Sequence, residues 1–275
     1  MTQTTIKQAS STHFARRGAL FASLALSLSF IAAPAAHAAP LKIGMTFQEL
    51  NNPYFVTMQK ALNEAAASTG ATVVVTDAHH DVSKQVSDVE DMLQKKIDIL
   101  LVNPTDSTGI QSAVTSAKKA GVVVVAVDAN ANGPVDSFVG SKNFDAGQMA
   151  CEYLAKSIGG SGEVAISVTE NMIQAHPNLK GIFSVNDGGS MGALSAIESS
   201  GKDIKLTSVD GAPEAIAAIQ KPNSKFVETS AQFPADQVRI ALGIAYAKKW
   251  GANVPKAIPV DVKMIDRSNA KGFSW

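Results

Sequence analysis

Four stretches of this chain share one pattern, a continuous run of apolar, mostly β-branched residues that stops abruptly at an amide or a carboxylate. The longest is GVVVVAVDAN (121–130), whose run ends at Asp128; IDILLVN ends at Asn103, GIFSVN at Asn186 and KLTSVD at Asp210. Runs of this kind fit strands buried on both faces of a parallel sheet, and the carboxyl ends of such strands are where open α/β sheets bind ligands. Asn103 precedes Asp128 by 25 residues and Asn186 precedes Asp210 by 24. An Asn-ended strand followed one βα unit later by an Asp-ended strand thus occurs once in each half of the chain. That repetition predicts two similar lobes.

Helical periodicity fills the spaces between runs. It predicts helices over 54–69, 82–95, 108–120, 144–158, 168–176, 190–200, 213–220 and 235–250, with further strands at 41–46, 72–76, 137–139, 163–167 and 225–231 and a terminal segment at 258–265. Pro53 suits a first helical position, and Pro104-Thr105-Asp106-Ser107 reads as a turn with an N-cap. Alternation of strand and helix implies doubly wound parallel sheets with right-handed crossovers. The glycine-rich 159–162 precedes a strand instead of following one, which makes it a turn and not a phosphate loop. One junction breaks the rule: strand 163–167 meets helix 168–176 with no turn residue between them, where βα connections normally take about 2–6 residues.

Composition narrows the function. The chain has 275 residues, 45% of them hydrophobic, and 24 basic residues balance 24 acidic ones, so no net field favours nucleic acid. Residues 1–38 carry Arg16-Arg17, an apolar stretch over 18–33 and an Ala36-His37-Ala38 cleavage site. They read as a signal peptide cut near Ala38, which sends the mature protein to the periplasm. Cys151 has no internal partner and is expected as a small core residue. The adjacent His79, His80 and Asp81 do not converge on one ion and read as a solvated helix entry. No metal or cofactor is expected. No G-x-G-x-x-G after a strand, G-x-S-x-G or H-E-x-x-H is present, so no catalytic residue is assigned. Trp250 and Trp275 lie far in sequence from the strand ends and receive no role.

The strand ends themselves have a chemistry. Amides donate and accept, and a carboxylate accepts from two hydroxyls with charge-assisted strength. Asn103, Asp128, Asn186 and Asp210, with Gln232 at a fifth strand end, therefore suit a neutral sugar or polyol. Tyr54-Phe55, after another strand end, would cover its apolar face. Two lobes so equipped imply a cleft that shuts by hinge motion.

The motifs LNNPYF (50–55), VNPTDS (102–107), VDANA (127–131), VNDGGSMGAL (185–194), VDGAP (209–213) and AQFP (231–234) together resemble the periplasmic sugar-binding proteins of the ribose-binding type, which serve ABC importers. The resemblance spans nearly all of 41–275. It implies a type I periplasmic binding protein: α/β, two doubly wound parallel-sheet lobes joined by a hinge, the N-terminal lobe being 41–141 plus 234–261 and the C-terminal lobe 142–233 plus 262–275. It also implies that Asn52 hydrogen-bonds the ligand and Tyr54 and Phe55 stack on it. Asn103, Asp128, Asn186, Asp210 and Gln232 would meet its hydroxyls, with Ser141 near the hinge. The implied partners are a monosaccharide or polyol, a membrane permease and, in some members, a chemoreceptor, with the receptor itself monomeric and without affinity for nucleic acid.

The chain departs from the family in two places. A basic residue often follows the central aspartate in the family; here Ala129 does. The family also has a further loop, helix, strand and loop after the strand at 163–167, normally bringing an arginine and often an aromatic to the ligand. Nothing here matches it, so the second lobe is expected to be shortened by about one βαβ unit of ~30 residues or more. Three other readings follow: a deletion-impaired receptor that folds or binds poorly, the ligand-binding core of a sugar-responsive transcriptional regulator, and an enzyme. The regulator needs a DNA-binding helix-turn-helix where the signal peptide stands, and the enzyme reading has no motif behind it.

Overall fold

Residues 39–166 and 170–275 are described by a computed structural model. The expected signal peptide at 1–38 and the turnless junction at 167–168 lie outside the described residues. The apolar runs become two sheets. The first has the order β10-β5-β4-β3-β1-β2 and is parallel throughout, with β1 (Lys42–Phe47), β2 (Thr72–Asp77), β3 (Ile99–Val102), β4 (Val123–Val127), β5 (Ser137–Ser141) and β10 (Ala257–Val260). The second has the order β11-β9-β8-β7-β6, from β6 (Glu163–Ile166), β7 (Leu179–Phe183), β8 (Lys205–Asp210), β9 (Phe226–Ala231) and an antiparallel edge strand β11 (Lys263–Asp266).

Alternation within the runs sends side chains to opposite faces of the first sheet. Val123, Val125 and Val127 join the core under α1 (Pro53–Ser68) and α8 (Pro234–Lys249), while Val124 and Ala126 join the core under α2 (Val82–Gln94) and α3 (Gln111–Lys119). All five residues of β4 are buried, as a central parallel strand requires. On the second sheet α5 (Glu170–Ala175), α6 (Asp187–Ser200) and α7 (Pro213–Gln220) pack on one face through Ile173, Leu194, Ile197 and Ile219. Among the described residues α4 (Asn143–Ser157) is the one helix on the other face, its Leu154 meeting Gly181 of β7.

The helix bounds differ from expectation in two instructive places. α3 begins at Gln111, not at 108, because the Asp106 carboxylate takes the N–H groups of Thr108 and Gly109 and holds a turn there. The terminal segment is two strands, β10 in the first sheet and β11 in the second. The chain therefore passes between the sheets three times, after β5, after β9 and after β10.

The second sheet is one strand shorter. In the first, β1 is flanked by β2 on one side and β3 on the other; in the second, among the described residues, β6 pairs with β7 alone and forms an edge. Register places Val164 opposite Gly181 and Ile166 opposite Phe183, so both project on the α4 face. They stand 46% and 67% exposed. The flank of α4 carrying Phe144, Cys151 and Ala155 is exposed as well. Cys151 is thus not a core residue. The first sheet carries two helices on its corresponding face, α1 and α8, whereas α4 stands alone and one flank of it goes uncovered.

Candidate ligand cleft

The carboxyl ends of strands from both sheets meet at a cleft of about 620 Å³, within the roughly 300–1,000 Å³ usual for small-molecule sites. Its walls include Asn52, Tyr54, Phe55, Asp128, Asn186, Asp210 and Gln232, seven of the eight residues that the sequence pattern and the resemblance single out. Asn103 is brought to the same place but lies fully buried beneath it. There its Nδ2 donates to Asp128 Oδ2 at 3.2 Å and its Oδ1 accepts from the Gln48 N–H at 3.3 Å. Asn103 orients a carboxylate and does not line the cleft.

Several side chains have structural duties of their own. Asn52 caps α1 by accepting from the Tyr54 N–H at 3.0 Å, and Asn186 caps α6 through the Gly189 N–H at 2.7 Å. β7 ends at Phe183, so Asn186 stands in a helix-capping position three residues beyond the strand. The amide N–H₂ of each cap remains available. Asp128 and Asp210 both hold positive φ, 68° and 129°, a conformation that costs non-glycine residues on the order of 1–3 kcal/mol and clusters at functional sites.

Tyr54 is the centre of a network at the crossings. Its hydroxyl accepts from Gln237 Nε2 at 2.6 Å and lies 3.1 Å from Asp128 Oδ1 and 2.9 Å from Gln232 Oε1, its single proton serving one of these at a time. Gln232 also accepts from Ser141 Oγ at 3.1 Å and donates to Asn143 Oδ1 at 3.2 Å. Ser141 and Asn143 flank the first crossing, and Gln232 sits in the second. Burial drives the Tyr54 phenol well above its ordinary range, and the charges of Asp128 and Asp210 add to the rise. Burial also pushes Asp128 up to about 6, against hydrogen bonds from Tyr54 and Asn103 that favour its ionised form. Asp210 rises well above the usual carboxylate range, first through burial and then through the neighbouring charge of Asp187.

Sequence reasoning missed Trp275. Its indole Nε1–H donates to the Asp210 main-chain oxygen at 2.9 Å, and its ring meets Tyr54 edge-on at 5.7 Å. Distance along the chain concealed it, because β11 leads away from the carboxyl end of β9 and only the residues after it come back to Asp210. Gln48, Glu49, His80, Asn130, Phe138 and Asn143 also line the walls. Glu49 and His80 pair at 3.1 Å, and only the LNNPYF neighbourhood offered a signal for the first two.

Comparison with known proteins agrees with this geometry. A family described as periplasmic binding protein domain matches residues 43–169 and 165–252. The chain belongs to that family. It is of the ribose-binding type, 35% identical to the ribose import binding protein RbsB of Bacillus subtilis across 81% of this chain and 86% of that protein. RbsB of Escherichia coli is 29% identical, with 81% and 90% covered. Among solved structures, an ABC transporter solute binding protein from Mycobacterium smegmatis with bound glycerol is 26% identical at a TM-score of 0.79, covering 84% of this chain and 96% of its own. One from Actinobacillus succinogenes with bound D-allose is 25% identical at 0.79, covering 85% and 100%.

The same comparisons locate the shortening. The alignment with the Bacillus protein runs over 264 residues yet takes in 81% of this chain's 275, about 223, leaving about 41 positions of that protein without a counterpart here. The two stretches matched by the family meet at 165–169, where β6 ends. Position and size both fit the strand and helix absent beside β6.

Proposed function

We propose that this chain is the receptor of an ABC importer, exported with cleavage near Ala38, which takes a monosaccharide or polyol into the cleft and presents it to a membrane permease. The observation that carries the reading is the convergence of Asp128 and Asp210, one from each sheet, on a single cleft with the amides of Asn52, Asn186 and Gln232. Relatives named for ribose, D-allose and xylitol, and neighbours solved with D-allose and myo-inositol, support the ligand class. The lobes divide as 41–141 plus 234–261 and 142–233 plus 262–275, and closure turns on the crossings where Ser141 and Asn143 each bond Gln232. Asn103 acts by aiming Asp128, and Tyr54 and Phe55 floor the site. The receptor works as a monomer at low concentration and turns nothing over.

A second reading, favoured by the open edge at β6, is a receptor impaired by the loss of one βα unit. Thermal unfolding of the purified chain with pentoses, hexoses and polyols separates the two. A ligand that binds only the folded state adds about 2.7 kcal/mol at 100 times its dissociation constant. One cooperative transition that a sugar moves upward supports the receptor; a broad transition that no sugar moves supports the impaired form.

A further inference from the structure

The walls of the cleft are acidic. Their charged residues are Glu49, Asp128 and Asp210, with His80 as the one potential cation; no lysine or arginine is among the described residues lining it. Glu49 lies 3.1 Å from His80 Nε2. Among the described residues, Asp128 and Asp210 have no lysine or arginine partner. Asp128 is held by two neutral groups, the Tyr54 hydroxyl and the Asn103 amide. Asp210 takes one N–H, that of Asp187 at the start of α6, at 3.3 Å. The carboxylate of that same Asp187 stands nearby and is itself fully buried, accepting from the Ala212 N–H and the Thr229 hydroxyl.

Burying carboxylates without a counter-charge is costly, and the upward shifts of Asp128 and Asp210 register that cost. A neutral sugar gives such groups hydrogen bonds but leaves the charge in place. A protonated amine gives three N–H donors to acceptor-only oxygens and removes the like-charge repulsion at the same time. The small side chain of Ala129, which also lines the wall, leaves no basic group beside Asp128 to compete with it.

We infer that the cleft takes a cationic polyol, an amino sugar or amino-alditol with a protonated primary amine, whose ammonium group is held by Asp128 and Asp210. The inference rests on the cleft being the ligand site, as proposed above.

Calorimetric titration of the purified chain with matched pairs tests it: D-glucosamine against D-glucose, and 1-amino-1-deoxyribitol against ribitol, at pH 7 and low salt, with N-acetyl-D-glucosamine as a ligand of similar shape without the charge. The amine is expected to bind at least tenfold tighter than its neutral twin, and Asp128→Asn and Asp210→Asn are each expected to abolish that preference. The twin comparison on the unsubstituted chain decides the matter even if a variant fails to fold. Neutral twins that bind as tightly as the amines, or more tightly, overturn the inference and leave the sugar receptor standing. Absence of any binding removes the receptor reading and the inference with it. Binding of neutral twins only in the presence of Ca²⁺ also overturns it, by assigning the counter-charge to a metal ion.

Discussion

Trp275 donates its indole N–H to the main-chain oxygen of Asp210, 2.9 Å away, and so ties the tail of the chain to a carboxylate-bearing turn of the cleft. Phe273, two residues earlier, packs with the second-sheet core, whereas the Trp275 ring packs with the core of the first. Residues 273–275 therefore reach the cores of both sheets beside the site.

Trp275 is accordingly expected to report ligand binding by fluorescence. Trp250 is 76% exposed and stacks on Tyr246, away from the cleft. A ligand-induced change in emission should survive Trp250→Phe and vanish in Trp275→Phe. The latter substitution also removes one hydrogen bond, a stability cost of about 1 kcal/mol, read from chemical denaturation.

Asp128→Ala is expected to remove ligand binding while leaving the fold intact. The carboxylate is disfavoured by burial, so its loss relieves a cost as well as breaking the Tyr54 and Asn103 bonds. Asn103→Ala should weaken binding by a smaller amount, because it leaves the carboxylate present but poorly aimed. Titration calorimetry on both variants, with unfolding curves alongside, tests the order.

Stability is expected to fall as pH rises from about 4.5 to about 8. Burial pushes fully buried Glu228 up to about 8 from an ordinary 4.5, so in that window the unfolded chain has lost a proton that the folded one keeps. The contribution is complete below the lower value and lost on passing the upper one. Asp128 and Asp187, both at about 6 in place of 3.8, act in the same direction between about 4 and 6. Glu228→Gln should flatten the profile and raise the unfolding free energy more at pH 8 than at pH 5, by an amount on the order of a few kcal/mol. The new amide faces Thr207 across the β8–β9 register, where the Thr207 hydroxyl and Glu228 Oε2 have no partner among the described residues.

The β6 edge is expected to drive concentration-dependent association, since it offers unpaired backbone groups beside exposed Val164 and Ile166. Ile166→Lys should increase the monomer fraction in sedimentation analysis without altering ligand affinity. In the same region Cys151 should react with maleimide without denaturant, slowly, because partial desolvation raises its thiol pKa. Failure to label would mean that the flank of α4 is covered.

Much of this protein was written in local patterns. The runs ending at Asn103, Asp128, Asn186 and Asp210 became strands or their immediate sequels, because a buried parallel strand demands consecutive apolar residues and its end demands a polar turn. The missing unit was legible too, as a strand running into a helix without a turn. The burial of Cys151 was misread because amphipathic periodicity says which flank of a helix is apolar, not whether a neighbour exists to cover it.

The sequence by itself determined the elements, their order and the residue types at the strand ends, since these depend on neighbours a few positions apart. Only the tertiary structure decided which strand ends share a wall, that Asn103 lies beneath that wall, that Trp275 reaches Asp210 and that no lysine or arginine is among the described residues lining the cleft. Those are facts of distance between residues far apart in the chain, such as the 183 positions that separate Tyr54 from its partner Gln237. They are fixed by how the two sheets meet, and no local pattern encodes that.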